Sequence, residues 1–165
     1  ALNEYKYQLA NGGDMQQFIK ELQFSSRDNG RTPFQWNSST HAGFTTGEPW
    51  LKVNPNYTTI NAAAQEKDPN SVLNYFRKMV QLRKNNKTLV YGKYTLLDKD
   101  NPRVYAYTRE MNGTKLLVLL NFSAKIASAN TGIDLGKAKL LIGNYATASN
   151  RGMLQPYEAV VWELQ

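Results

Sequence analysis

The 165-residue chain has no cysteine, which excludes a disulfide framework, a thiolate metal site and a thiol nucleophile. It has one histidine, His41. No serine or cysteine nucleophile motif accompanies it, so a hydrogen-bonded structural histidine is expected rather than a general base. No run approaches the roughly 18 apolar residues of a membrane helix, and no membrane partner is expected. The opening residues, Ala1-Leu2-Asn3-Glu4-Tyr5, lack the basic and apolar regions of a secretory signal. Localisation stays open between cytoplasm and periplasm. Low-complexity segments and internal repeats are also missing.

Charge of one sign is not concentrated anywhere. The net charge is +7, from 20 Lys/Arg and 13 Asp/Glu. Residues 1–90 hold eleven basic against seven acidic side chains, and residues 91–165 nine against six, so the excess divides into +4 and +3. The one local cluster, Arg77, Lys78, Arg83, Lys84 and Lys87, falls toward the C-terminal end of a predicted helix, where cations suit the helix dipole and solvent. A solvated helix face is therefore expected, and no nucleic-acid partner.

What is present is a globular composition, with 41% hydrophobic residues, and a change of period along the chain. Helical spacing predicts a first helix over 2–9. A turn at Asn11-Gly12-Gly13 should lead to a second helix over 14–22, with Asp14 as N-cap and Met15, Phe18, Ile19 and Leu22 as a buried stripe. From Gln23 to Lys67 no periodicity persists. So long a loop points to a functional or borrowed surface. Asp68 and Pro69 then suit the start of a helix running to about Lys84 or Asn85, with Val72, Leu73, Phe76, Met79, Val80 and the stem of Arg83 on one face. Beyond it the period becomes two. Strands are predicted at 94–97, 104–109, 115–122, 126–129, 139–142 and 157–164, with Asn112-Gly113 as a type I′ hairpin turn. Residues 90–165 thus read as a small antiparallel sandwich.

The loop holds the densest chemistry: Ser26-Arg27-Asp28-Asn29-Gly30-Arg31-Thr32-Pro33-Phe34-Gln35-Trp36, then His41-Ala42-Gly43-Phe44-Thr45-Thr46-Gly47-Glu48-Pro49-Trp50 and Val53-Asn54-Pro55-Asn56-Tyr57. Forked donors and aromatic rings together suit a sugar, which offers hydroxyls to the first and an apolar C–H face to the second. These motifs closely resemble the corresponding region of the oligo-1,6-glucosidase and isomaltase group of glycoside hydrolase family 13, relatives of the sucrose isomerases. Asp68 to Lys84 resembles the last barrel helix of that group, and Leu154-Gln155-Pro156-Tyr157-Glu158-Ala159-Val160-Val161 the last strand of its C-terminal domain.

The resemblance implies an α+β fragment. Residues 1–89 would be the last helices and active-site loop of a (β/α)₈ barrel, including the long loop 23–67, and residues 90–165 an antiparallel β-sandwich C-terminal domain. It implies a parent that is a retaining glycosidase of α-glucosides, with isomalto-oligosaccharides as expected substrates. Arg27 falls on the family arginine that holds the non-reducing glucose beside an aspartate from an early barrel loop outside this chain. The family's catalytic signatures match nothing here, so no catalytic residue is expected in the chain and the fragment alone should be inactive.

Asp28 and Glu48 are not expected to be a catalytic pair. Asp28 and Asn29 should tie the turn through local backbone bonds, and Arg31 should bond loop carbonyls. Trp36 and Trp50 are expected to anchor the loop. Phe34 stands where the hydrolases commonly have methionine and matches the sucrose isomerases, which keeps rearrangement of sucrose open. No metal or cofactor is implied. A carbohydrate-binding module and a purely structural piece remain as alternatives. A barrel remnant should also expose apolar surface through which the fragment oligomerises.

Overall fold

The computed structural model describes residues 2–148 and 152–165. The chain folds as two compact units, residues 1–71 and 72–165.

In the first unit, α1 (Leu2–Ala10) ends where Gly12 takes a left-handed φ of 69° and the Gly13 N–H returns to the Gln8 carbonyl at 2.9 Å. This six-to-one bond satisfies a carbonyl that the helix end leaves unpaired. Asp14 caps α2 (Met15–Ser25) as expected, its carboxylate accepting from the Gln16 and Gln17 N–H groups at 3.0 Å. The stripe it starts is not buried. Phe18 meets the Tyr5 ring at a centroid separation of 6.4 Å, but Ile19 stays 43% exposed and neither helix buries a residue. One neighbouring helix is too little to cover an apolar face that amphipathic spacing prepares for a core.

The stretch read as loop contains three 3₁₀ turns, Arg27–Gly30, Thr40–Gly43 and Pro55–Thr58, and a short helix that periodicity did not reveal, α3 (Ala62–Lys67). Asn61 begins α3: buried, it accepts from the Ala64 N–H at 2.9 Å and donates to the Tyr57 carbonyl at 2.8 Å. Asp68 closes α3 instead of opening the next helix, and its carboxylate accepts from the Asn70 N–H at 2.9 Å. The expected start at Asp68-Pro69 is therefore corrected to Val72, since a turn intervenes.

In the second unit, α4 (Val72–Asn85) and α5 (Lys87–Tyr91, capped by Asn86) precede a five-stranded antiparallel sheet. Its strands are β1 (Lys93–Leu97), β2 (Val104–Met111), β3 (Thr114–Asn121), β7 (Ala159–Leu164) and β5 (Lys139–Gly143), ordered β1-β2-β3-β7-β5. A two-stranded sheet of β4 (Ala127–Ser128) and β6 (Met153–Leu154) makes the second layer. Asn112 and Gly113 both take positive φ, 51° and 80°, which is the predicted type I′ turn. The last strand starts later than predicted. Pro156 has no N–H to give a ladder and Tyr157 sits at φ 55°, so residues 155–158 form a turn. β6, two residues long, gave no periodic signal.

The core lies between the two sheets. Val104, Ala106, Leu117, Leu119, Val160 and Trp162 of the large sheet pack against Ala127, Leu154, Ala129 and Leu135. Buried Asn121 joins the layers: its amide donates to the Lys125 and Gln155 carbonyls at 2.8 Å and accepts from Ser123. The opposite face of the large sheet carries α4 and α5. There Arg109 donates to the Val90 carbonyl at 2.8 Å and Arg83 to the Leu89 carbonyl at 2.9 Å, placing two cations at the C-terminal end of α5. The predicted α4 stripe is half realised. Of its members, Met79, Val80 and Arg83 line the cleft against the sheet, together with Tyr75 and Leu82, which the stripe did not include, whereas Val72 is 80% and Phe76 56% exposed.

Candidate functional site

The arginine turn is assembled from local bonds. Ser26 caps it, its hydroxyl accepting from the Asp28 N–H at 3.4 Å, and the Asn29 amide donates to the Gln23 carbonyl at 2.7 Å. Asn29 therefore ties the turn as expected. Asp28 does so too, its carbonyl accepting from the Arg31 N–H at 3.2 Å, while its carboxylate pairs with the Arg31 guanidinium. Arg31 in turn lies over the Trp50 ring, 5.7 Å from its centroid, and among the described residues its guanidinium makes none of the carbonyl bonds expected of it. With its side chain half exposed, the ion pair contributes at most about 1 kcal/mol. Its effect is geometric, since it fixes which way Arg31 points.

Arg27, first residue of the turn, differs from its neighbours. It is exposed, and among the described residues its guanidinium makes no hydrogen bond or ion pair. The turn is held entirely by the residues around it. A fork of donors presented in this way can take sugar hydroxyls or a carboxylate from another segment.

The segment after the turn is clamped from both sides. The Trp36 and Asn37 N–H groups donate to the Ala42 carbonyl at 2.9 and 3.1 Å. On the other side, the Ala62 and Ala63 N–H groups donate to the Gln35 and Trp36 carbonyls at 2.9 Å. The Gln35 amide reaches Asn56 at 3.0 Å and the Ile60 carbonyl. Backbone and amides thus anchor the loop, correcting the expectation that the tryptophans would. Trp36 is 54% and Trp50 77% exposed. Phe34 meets Trp36 edge-on at 4.6 Å, leaving both rings open to a ligand.

His41, Ala42 and Gly43 are consecutive left-handed residues, with φ of 52°, 60° and 67°. Such conformations cost about 1–3 kcal/mol each at non-glycine positions and persist only where surroundings enforce them. Here fully buried Ala42, whose carbonyl takes the two N–H groups, supplies that enforcement. A Cβ at Gly43 would stand 2.6 Å from the Asn37 side chain, so glycine is required twice over. The structural role of His41 lies in its backbone, which accepts from the Phe44 N–H at 3.0 Å. The expected ring hydrogen bond is not formed among the described residues.

Asp28 is paired with Arg31, and no group of three or more His, Asp or Glu suited to a metal occurs among the described residues. An exposed guanidinium and exposed rings suit the binding and orientation of a ligand. Sequence reasoning missed Gln35, Asn37 and Asn61 as positioning residues. Their only signal was polarity within a segment that had no period.

Known proteins are similar to the chain in sequence and in fold. The family model for the alpha amylase catalytic domain matches residues 2–92, and that for the maltogenic amylase C-terminal domain residues 94–161. An oligo-1,6-glucosidase of Bacillus cereus is 41% identical over 99% of the chain and 30% of its own length. A crystal structure of trehalose-6-phosphate hydrolase from Bacillus licheniformis superposes with a TM-score of 0.88 at 37% identity, over 98% of this chain and 30% of that one. Isomaltulose synthase from Klebsiella sp. LX3 does so with a TM-score of 0.85 at 37% identity, over 97% and 30%. The chain spans about 30% of the length of the curated relatives it matches. With a catalytic-domain match over residues 2–92 joined to a C-terminal-domain match over 94–161, the chain belongs to the alpha amylase family.

Proposed function

We propose that the protein carrying this chain is a retaining α-glucosidase acting on α-1,6-linked isomalto-oligosaccharides, and that Arg27 holds the non-reducing glucose. The observation that carries the reading is the exposed, unpartnered guanidinium of Arg27 on a turn its neighbours fix. That turn lies within a stretch 41% identical to an oligo-1,6-glucosidase. We further place the end of the catalytic barrel at residues 1–89 and the β domain at residues 90–165, a division supported by family matches that meet between residues 92 and 94.

Retaining cleavage needs two carboxyl groups about 5–5.5 Å apart, one as nucleophile and one as acid/base. This chain contributes neither. Its part is to bind and orient: Arg27 donates to outer hydroxyls of the terminal glucose and to a carboxylate from elsewhere in the barrel, while the exposed rings offer stacking surface. Bonds from a charged donor contribute about 1.5–3 kcal/mol. Arg27→Ala in the full-length protein should then lower kcat/KM for isomaltose roughly 10- to 150-fold. An unchanged kcat/KM would reduce Arg27 to a loop brace.

Phe34 favours a second reading, rearrangement of sucrose. Its exposed ring stands edge-on to Trp36, and by the resemblance it falls where the hydrolases commonly have methionine. Both reactions pass through one glucosyl-enzyme and differ in whether water or a sugar accepts the glucose. Product analysis with sucrose separates them: free glucose and fructose indicate hydrolysis, an isomeric disaccharide indicates transfer.

A further inference from the structure

The loop from Asp98 to Arg103, which joins β1 to β2, is tied across to the chain around β4. Asp98 takes a left-handed φ of 47°, which a short side chain that bonds locally can tolerate. One of its carboxylate oxygens, Oδ2, accepts from the Asn101 amide at 2.7 Å and from the Asn130 N–H at 2.9 Å. The Asn101 amide nitrogen also donates to the Ser128 carbonyl at 2.8 Å, while its oxygen accepts from the Arg103 and Val104 N–H groups at 3.0 and 3.1 Å. Two segments distant in sequence are thus locked edge to edge by one carboxylate and one amide.

Between them lies a depression of about 480 Å³, with Asp98, Asp100, Arg103 and Asn130 on its rim and Pro102 and Ile126 as its apolar part. It opens beside β4, in the layer across the core from the face that carries α4 and α5. The bonds that fix the backbone leave the rim's own chemistry unused. Among the described residues, Oδ1 of Asp98, the Asp100 carboxylate, the Arg103 guanidinium and the Asn130 side-chain amide make no hydrogen bond or ion pair. Such a rim selects among ligands. An anion would face two carboxylates and a cation would face a guanidinium, whereas each hydroxyl of a polyol is donor and acceptor and matches both sets. Ile126, 51% exposed, and Pro102 offer apolar surface to its C–H groups. A second depression of about 340 Å³ shares Asn130 with the first and is lined further by Thr131 and Asp134, which leaves room for more than one sugar ring. Charged side chains on a loop are ordinary, but here cross-loop bonds have already ordered the backbone that carries them, so little ordering is left to oppose binding.

We propose that this depression is a carbohydrate-binding subsite, separate from the Arg27 turn, which takes a neutral oligosaccharide through Asp100, Arg103 and Asn130. Asp98 and Asn101 act as positioning residues: they hold the two segments at the spacing that sets the three ligand-facing groups round one opening. The inference does not depend on Arg27 holding glucose, and its test does not use catalysis.

The test is titration of the purified chain with isomaltotriose, followed through backbone amide shifts in two-dimensional NMR. The amides of Asp100, Arg103 and Asn130 should move together and saturate with a Kd on the order of 1 mM, weak because no aromatic ring lines the depression. Asp100→Ala and Arg103→Ala should each weaken binding roughly tenfold, the effect of losing one hydrogen bond to a charged group. Circular dichroism should not change, since neither side chain bonds to anything in the fold. Arg27→Ala should leave the shifts and their midpoint as they are. No shift at any sugar concentration, shifts indifferent to both substitutions, or a site that takes inorganic phosphate in preference to the sugar would each overturn the proposal. Loss of the shifts on Arg27→Ala would assign the sugar to the arginine turn and overturn it as well. Saturating shifts that the two substitutions weaken, in a protein that hydrolyses no α-glucoside at full length, would uphold the subsite and count only against the glucosidase reading.

Discussion

At the scale of single residues, the site separates what presents chemistry from what holds it in place. Arg27→Lys in the full-length protein should restore little of what Arg27→Ala loses, because a compact ammonium cannot reproduce the planar fork; steady-state kinetics of the two variants check this. Asn61→Ala should destabilise the first unit by about 0.5–2 kcal/mol, measured by denaturant unfolding, since it removes the cap of α3 and leaves the partly buried Tyr57 carbonyl without its donor. Arg27 was singled out in the sequence by its motif, and its role is the proposal that the kinetics test. Asn61 and Gln35 were not, because an amide reveals its role only once its partners, 3 to 25 positions away, are placed. Trp36 and Trp50 were misjudged for a related reason: size and flanking residues suggested anchors, but backbone bonds to Ala42 had already fixed the loop.

At the scale of elements, the strands were the most readable feature and the barrel remnant the least. The period of two and Asn112-Gly113 identified β1, β2 and β3 to within two residues. The helix stripes were read as buried, yet Ile19, Val72 and Phe76 are exposed, since periodicity states which side of a helix is apolar and not whether anything covers it. Mutation should reproduce the contrast. Leu119→Ala, in the centre of β3 and 1% exposed, should cost about 2–5 kcal/mol in the isolated chain, whereas Phe76→Ser should change its stability by no more than about 0.5 kcal/mol. The β1–β2 pair also has a pH signature. The hydrogen bond shared with Tyr105, with smaller contributions from desolvation and neighbouring tyrosines, raises Tyr94 to about 12 from 10.0. A raised folded pKa contributes stability that is fully present below pH 10 and is lost as pH rises through the window up to about 12. Ultraviolet titration should show one late-ionising tyrosine, and Tyr105→Phe should bring it back toward its ordinary range.

At the scale of the whole molecule, the two units differ in what holds them. The second has a two-layer core, and the first has helices without buried residues and a loop held by polar bonds. Hydrogen exchange should therefore find β2, β3 and β7 strongly protected and α1 and α2 nearly unprotected; equal protection in a monomer would contradict that difference. The division of labour is likewise uneven. On the reading proposed above, this chain supplies the arginine that holds substrate and the carboxyl pair that breaks the bond lies outside it. The most direct measurement is turnover of p-nitrophenyl α-glucoside by the purified chain alone and by the chimera that joins it to the remaining 70% of the Bacillus cereus enzyme. The expected result is hydrolysis by the chimera and none above the buffer blank by the chain. Turnover by the chain itself, persisting after removal of host glucosidase, would contradict it and make Asp28 and Glu48 the groups to mutate next.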